Sequence, residues 1–464
     1  MSPVAPPTLV FDCTVKNITE LTDRIILKQK TVYEQISSVE TPTFESVIKP
    51  YGQLENEVYE ERQRIAMLHH VSTDNKLREM SRVASKKLRA ILIEHYANEK
   101  LFKAIESVYN NNQEMEKLDN EDRRYVETLV KWFIKSGQKL PEAKRIELVD
   151  LKKDIKLVTL RTESAKELGY KNYAEYMLAD RMLKSTKEVM ELIKQFKQTI
   201  KEAKERQEMQ KMTKKNSAKN MFNMLMSKWM PGITDEMVAK YFPLDHVLEQ
   251  VLQIFQNMFG LRIAKKEGVS TWHKDVQVYE VWEADRSAFV GHMYLDLFKR
   301  NHKFNNAGAM QLQAGYTNGD GRRIYPAAAL LANFDNPSLS KPSLLTHSDI
   351  VVLFHELGHV FHILCSRVKW VSFSGMNVEH EFIETPALMM EHWAWEPFLK
   401  EGIDNPQTGK EFREMVLGYG ASRDAEEGVK QFLGREYNNE AFENLFAQTT
   451  QNNDWLKLTA NEKL

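Results

Sequence analysis

The stretch from Val351 to Cys365, VVLFHELGHVFHILC, sets three histidines and one glutamate within eight positions of an otherwise apolar run. Nothing else in the chain restricts its fold so much, because these side chains act together only if the run is a helix. Residues four apart on an α-helix lie about 40° apart around the axis and about 6 Å along it. His355 and His359 have this spacing, so their imidazoles converge and can share one metal ion. Glu356 projects beside the pair, where a general base for water must stand. His362 follows His355 by seven residues, about 10 Å along the axis, and cannot share an ion with it. It is read as substrate-facing or packed.

The local sequence supports the helix. THSD at 346–349 offers a Thr N-cap with an acid three residues on, and Ile350, Phe354, Leu357, Phe361 and Leu364 form one apolar stripe. A catalytic zinc site takes three protein ligands and keeps one position open, so a third ligand is needed. A pattern with a third histidine ten residues after the first fails, since Cys365 stands there and His362 replaces the required glycine. The remaining candidates are Glu379, Glu381, Glu384 and Glu391. EFIETPALMMEHWAWE reads as a second helix with Phe382, Ile383, Leu388, Met389 and Trp393 inside. Glu384 and Glu391 share a face, which allows one ligand and one supporting partner. Spacing does not choose between them.

The chain has 464 residues, enough for two or three lobes. Lys+Arg 64 against Asp+Glu 65 gives a net charge of -1, which argues against a dedicated nucleic-acid binder. The two cysteines, Cys13 and Cys365, suit a reducing compartment. No targeting signal and no apolar run of about eighteen residues is visible, so a soluble cytoplasmic protein is expected, with a mitochondrial form left open. The Pro-rich start is expected to be disordered or loosely docked. To about Met212 the pattern is long, charged and helical. The basic run Lys194–Asn220 reads as a solvated helix, and Met209, Met212, Met221, Met224 and Met226 as packing residues. Beyond Gly232, VQVYEVWEA, AFVGHMYLDLF and AAALLANF read as strands, giving a small sheet between about residues 277 and 335 beside the metal helix.

VVLFHELGHVFHILCSRVKWVSFSGMNVEHEFIETPALMMEHWAWE, with its Phe-Ser-Gly and Phe-x-Glu-x-Pro elements, resembles the active-site stretch of the thimet oligopeptidase, neurolysin and saccharolysin family of zinc peptidases. LRTESAKELGYKNYAEYML, YFPLDHVLEQVLQIFQNMFGLRI, WHKDVQVYEVWEA, PAAALLANF and EFREMVLGYGASRDAEEGVKQFLGRE are similar as well, so the resemblance covers nearly the whole chain. It implies a predominantly α-helical, zincin-like, two-lobed oligopeptidase fold with a helical lobe over 1–212 and a catalytic lobe over 213–464. It further implies one zinc ion per chain held by His355, His359 and Glu384, with Glu356 as catalytic base. The implied activity is hydrolysis of short peptides by a monomer, without nucleic-acid or membrane partners. The run Ala328–Asn333 is expected to pair with substrate as an edge strand.

The sequence departs from the family in four places, one of them an abbreviated stretch around SKWMPGITDE. Pro386, Ala387 and Leu388 stand where the family has Pro-Ser-Gln. The helical lobe is shortened near 151–163. The catalytic lobe is shortened near 398–400, where the family carries a mobile loop with histidine and tyrosines that stabilise the tetrahedral intermediate. No histidine follows His392, and the later tyrosines are Tyr419 and Tyr437. Two functions are therefore expected in competition: a zinc metalloendopeptidase, and a catalytically impaired zinc- and peptide-binding module.

Overall fold

A computed structural model describes residues 4–154, 158–179, 181, 185–191, 193–194, 235–338, 341–395 and 406–435. The fold is predominantly helical with one small mixed sheet, as the sequence predicts. The boundary expected at 212, the Lys194–Asn220 run apart from Lys194 itself, and its methionines lie outside the described residues.

The first half is a stack of helices: α1 (Val15–Ser37), α2 (Lys49–Val71), α3 (Asn75–Tyr96), α4 (Glu99–Tyr109), α5 (Asn112–Lys117) and α6 (Asn120–Lys135). Five of them begin at a Thr, Asp or Asn whose side chain accepts a backbone N–H of the first turn: Thr14, Asp74, Asn98, Asn111 and Asp119. Helix α1 buries Ile18, Thr22, Ile25, Gln29, Tyr33 and Ile36, one stripe at helical spacing. That stripe and its counterparts on α2, α4 and α6 make one core. Shorter helices α7 (Glu142–Asp154), α8 (Val158–Glu167) and α9 (Tyr173–Leu178) follow.

The second core is built on the sheet. After α10 (Asp235–Ala239), helix α11 (Leu244–Phe259) ends at Gly260 with φ 62°, a left-handed cap that turns the chain straight into β1 (Leu261–Lys266). Next come β2 (Gln277–Glu283), β3 (Phe289–Phe298), β4 (Gly308–Gln313), the short pair β5 (Tyr316–Thr317) and β6 (Arg323–Ile324), and β7 (Ala327–Phe334). The order is β1-β2-β3-β7-β4, with β3 and β7 parallel and the other neighbours antiparallel. This corrects one expectation: Ala328–Asn333 lies in β7, between β3 and β4, and both its edges are taken. The edge strand on that side is β4. The run AAALLANF is apolar but for Asn333, and buried but for that position, because β7 is covered on both faces, which marks an inner strand and not an edge.

Helix α12 (His347–Cys365) packs across β7, β4 and β3 and against α13 (His380–Trp395), followed by α14 (Pro406–Phe412) and α15 (Ala425–Leu433). It starts at Thr346, whose hydroxyl accepts from Asp349 N–H while the Asp349 carboxylate accepts from Thr346 N–H. The predicted stripe Ile350, Phe354, Leu357, Phe361 and Leu364 is buried. Among the described helices α12 alone is long and apolar enough to cross a bilayer, and with 72% of that stretch buried it is a core helix. On α13 the inside face differs from the prediction. Phe382, Ala387 and Met390 are buried, whereas Leu388 and Met389 are 52% and 39% exposed.

The two cores are joined at three places. The N-terminal segment is docked, not loose: Phe11 packs edge-on to Trp272 and Tyr294, and Leu9 N–H donates to the Tyr294 hydroxyl. Phe11, Met67 and Val71 thereby share a third cluster with Val276, Val278 and Leu331. The chain leaving α12 enters the helical core, where Trp370 stacks on Tyr125 at 4.6 Å and 9° and donates to Asp122. Glu121 accepts the backbone N–H of Lys369 at 2.6 Å, and Asn56 accepts that of Val371 at 2.9 Å. Finally, Asp296 on β3 accepts from Trp272 Nε1 and from Arg300, whose other bond reaches Val71 O on α2. The buried Lys303 ammonium meets Asp296 Oδ1 at 2.8 Å and the carbonyls of Asp296, Phe298 and Ala332.

Burial alone would raise the Asp296 carboxyl, but Arg300, Lys303 and Trp272 outweigh it and hold it below the usual carboxylate range. A depressed carboxyl contributes stability that is complete above its unfolded value of about 3.9 and is lost as pH falls through the folded value. Asp296→Asn is therefore expected to lower the unfolding free energy at pH 7 by about 3–5 kcal/mol, leaving Lys303 buried without its counter-charge. It should also flatten the acid limb below about pH 4. Urea unfolding of parent and variant from pH 2.5 to 8 measures both.

Candidate metal centre

Helix α12 supplies His355, Glu356 and His359, and α13 supplies Glu384 and Glu391. The helices approach closely where Gly358 faces Ala387: a Cβ on Gly358 would lie 2.7 Å from Ala387 Cα. Two residue types without bulk at one crossing bring the glutamates of α13 within reach of the histidines of α12. Glu384 precedes Ala387 by three residues and Glu391 follows it by four, so both sit on the crossing face.

The nitrogens His355 Nε2 and His359 Nε2 are 3.1 Å apart. Glu384 Oε2 lies 3.3 Å from the first and 3.4 Å from the second. Four-coordinate zinc with bonds of about 2.0–2.1 Å separates its ligands by about 3.3–3.4 Å. The triangle thus has the dimensions of one face of such a site. Its chemistry also fits. Glu391 Oε1 is 2.7 Å from His355 Nδ1, which places the proton there and turns a lone pair of Nε2 inward. A carboxylate and imidazole lone pairs converging on one point call for a cation. Among the described residues His355, His359 and Glu384 are the one group of His, Cys, Asp or Glu arranged to hold a metal.

Of the other carboxylate candidates, Glu381 is exposed and 4.0 Å from Arg181. Glu379 lies before α13, where its carbonyl accepts from Phe382 and Ile383. Glu391 approaches the far edge of the His355 ring. Its role was half legible, since the seven-residue spacing marks a shared face but not which ring nitrogen each carboxylate meets.

Glu356 is 7% exposed, and burial pushes its carboxyl up to about 7, with Glu384 adding to the rise and His355 opposing it. The backbone of Ala309, on edge strand β4, opposes the rise slightly. Burial lowers His359 as well. His362 is fully buried, held down to about 3 and so neutral, with its ring edge-on to Phe382. It is packed and does not face a substrate. Burial also pushes the Cys365 thiol up to about 11, too high for a reactive thiolate. Tyr419 is remote from the triangle: with Cys365, Arg367 and Glu283 it lines a separate cleft of about 950 Å³ at the far end of α12.

The sequence profile of peptidase family M3 matches residues 151–402, more than half of the chain and the whole of this site. Saccharolysin of Saccharomyces cerevisiae is 26% identical over 510 aligned positions, covering 85% of this chain and 71% of that protein. Thimet-like oligopeptidase of Dictyostelium discoideum is 37% identical over 164 residues, 35% of this chain and 24% of its own length. Oligopeptidase A of Haemophilus influenzae is 30% identical over 251 residues, covering 52% and 37% respectively. The chain thus spans well under two thirds of the last two relatives. The saccharolysin alignment is longer than the 464-residue chain, so it contains gaps on this chain's side. The chain belongs to peptidase family M3, with the thimet oligopeptidases and saccharolysin.

Proposed function

We propose that this protein is a zinc-dependent metalloendopeptidase of the oligopeptidase kind, hydrolysing short peptides as a cytoplasmic monomer. The observation that carries this reading is the triangle of His355 Nε2, His359 Nε2 and Glu384 Oε2, with Glu356 beside it, inside the region that matches the family. A zinc ion held there supplies Lewis acidity, polarising a peptide carbonyl and acidifying water. Glu356 then takes the proton from the attacking water and passes it to the leaving amine. Its burial suits that task, because a carboxyl drawn toward neutrality both accepts and releases a proton readily. Strand β4 supports a way of holding the substrate: it is the edge of the sheet beside α12, so peptide groups on its outer side are placed to pair with an extended chain.

A second reading, a zinc- and peptide-binding module of low turnover, has its own support. Among the described residues after α13, Tyr419 is the one tyrosine, and it lies in the separate cleft beneath the Arg423 guanidinium. Tyr437 is outside the described residues. Each missing oxyanion donor costs about 10²–10³ in turnover.

Zinc content and cleavage of a short internally quenched peptide separate the two readings. For the peptidase, the purified chain carries one zinc and exceeds its Glu356→Gln variant by about 10²–10⁴-fold in kcat/KM. One zinc with no difference between parent and variant leaves the binding module. A further consequence concerns the helix crossing. Gly358→Ala must push α13 away, at a cost of about 1–3 kcal/mol in overpacking, and is expected to weaken zinc uptake at least tenfold in a chelator competition. Unchanged affinity would show that the crossing does not set the ligand distance.

A further inference from the structure

We propose that Leu388 is a specificity residue of the site: its exposed side chain is an apolar wall at the mouth, and the site takes short peptides with an apolar residue next to the bond that is cut. This rests on the peptidase reading above. Leu388 follows Glu384 on α13 by four residues, so it lies about 40° from that carboxylate around the axis and about 6 Å along it. It precedes Glu391 by three. Those two carboxylates approach the two ring nitrogens of His355, at 3.3 Å and 2.7 Å. The stretch of helix between them, where Leu388 stands, therefore runs at the level of that ring. Ala387 marks the side turned to α12, about 60° from Glu384 in the other direction. Leu388 is thus on the outward side.

The triangle opens on the same side. The side chains of Glu384 and His355 are 49% and 21% exposed, whereas His359 and Glu356 are buried. A peptide coming from solvent passes the first two, and with them Leu388. A lone exposed leucine is ordinary on a protein surface. This one stands beside the opening, and its exposed neighbours on that part of α13, Glu381, Glu384 and His392, are polar. An apolar side chain of a bound peptide that covers Leu388 takes both surfaces out of water. A polar one loses its hydration there and finds no hydrogen-bond partner in leucine. Met389 supplies the contrast. It is exposed as well, but it lies about 140° around the axis from Glu384 and is turned away from the site.

The test uses the full-length, zinc-loaded chain and two pairs of internally quenched peptides. The members of a pair differ only in Leu or Gln, before the scissile bond in one pair and after it in the other, and product masses identify the bond cut. The parent is expected to favour the Leu peptide of one pair by about tenfold in kcat/KM, the scale on which an apolar pocket separates side chains. Leu388→Gln should reduce that ratio to about twofold or less, Leu388→Ala should fall between, and Met389→Gln should keep the parent's ratio. A second readout needs no turnover: dye-labelled forms of the same peptides are titrated into the Glu356→Gln protein with and without Leu388→Gln, and the ratio is read from Kd by fluorescence anisotropy. No Leu preference in the parent, an unchanged ratio in Leu388→Gln, or an equal loss in Met389→Gln overturns the proposal. If nothing is cut but the Kd ratio is present and falls in Leu388→Gln, the proposal holds for the binding module. If the parent cuts none of the four peptides and Glu356→Gln binds none, the peptidase reading falls and the proposal with it. That outcome is distinct, because an error confined to Leu388 leaves cleavage or binding in place.

Discussion

The contact of Gly358 with Ala387 is the constraint on which the rest of the site depends. A glycine inside a helix costs about 1 kcal/mol relative to alanine, and here it stands in the middle of α12, a mostly buried helix packed on the sheet. What offsets that cost is proximity, since the two backbones meet where a single methyl group would collide. With the crossing fixed, the register of α13 decides everything else. Glu384 and Glu391 fall on opposite edges of the same imidazole because they flank Ala387 on one helical face. Ala387 is fully buried at the crossing and small enough to let the helices meet there.

Helix α12 is fixed along its length as well as at its crossing. Thr346 and Asp349 cap its start, and Arg323 donates to the carbonyls of Ser366 and Val368 at its end, a positive charge where the helix dipole is negative. The chain then passes into the helical core through Trp370, which fits beside Gly52 of α2 because that position also lacks a side chain. Ordering of the proposed ligands therefore depends on both cores. The helical layer is part of the support of the site and not an appendage to it.

Local features were the legible ones. The capped, striped metal helix could be read because its cap, spacing and apolar face all lie within twenty residues of sequence. The pairing of His355 with His359 followed from helical geometry for the same reason. Features set by contacts distant in sequence were not legible. Apolar content in AAALLANF shows that β7 is buried, but strand order decides whether it is an edge, and that order brings β4 back beside β7 after a chain reversal. The exposure of Leu388 and Met389 shows the same limit: the inner face of α13 is chosen by the crossing at Ala387, and hydrophobicity alone favoured its neighbours. Strand β1 was missed because its polar sequence, LRIAKK, buries little beyond Leu261.

This division between local and distant bears on what shortening does to such a chain. The proposed cradle is complete within α12 and α13, two consecutive helices whose contact is close in sequence and dense in space. Segments lost elsewhere leave its dimensions intact as long as both cores still pack against it. Groups that stabilise a transition state have no such protection, because they act on charge that appears away from the ligands and must reach the site from other parts of the chain. The proposed metal binding and the proposed turnover thus rest on different parts of the structure. A member of this family with gaps against its longer relatives can keep the first while losing much of the second, so a well-formed metal triangle measures the integrity of two helices and not the rate of the reaction.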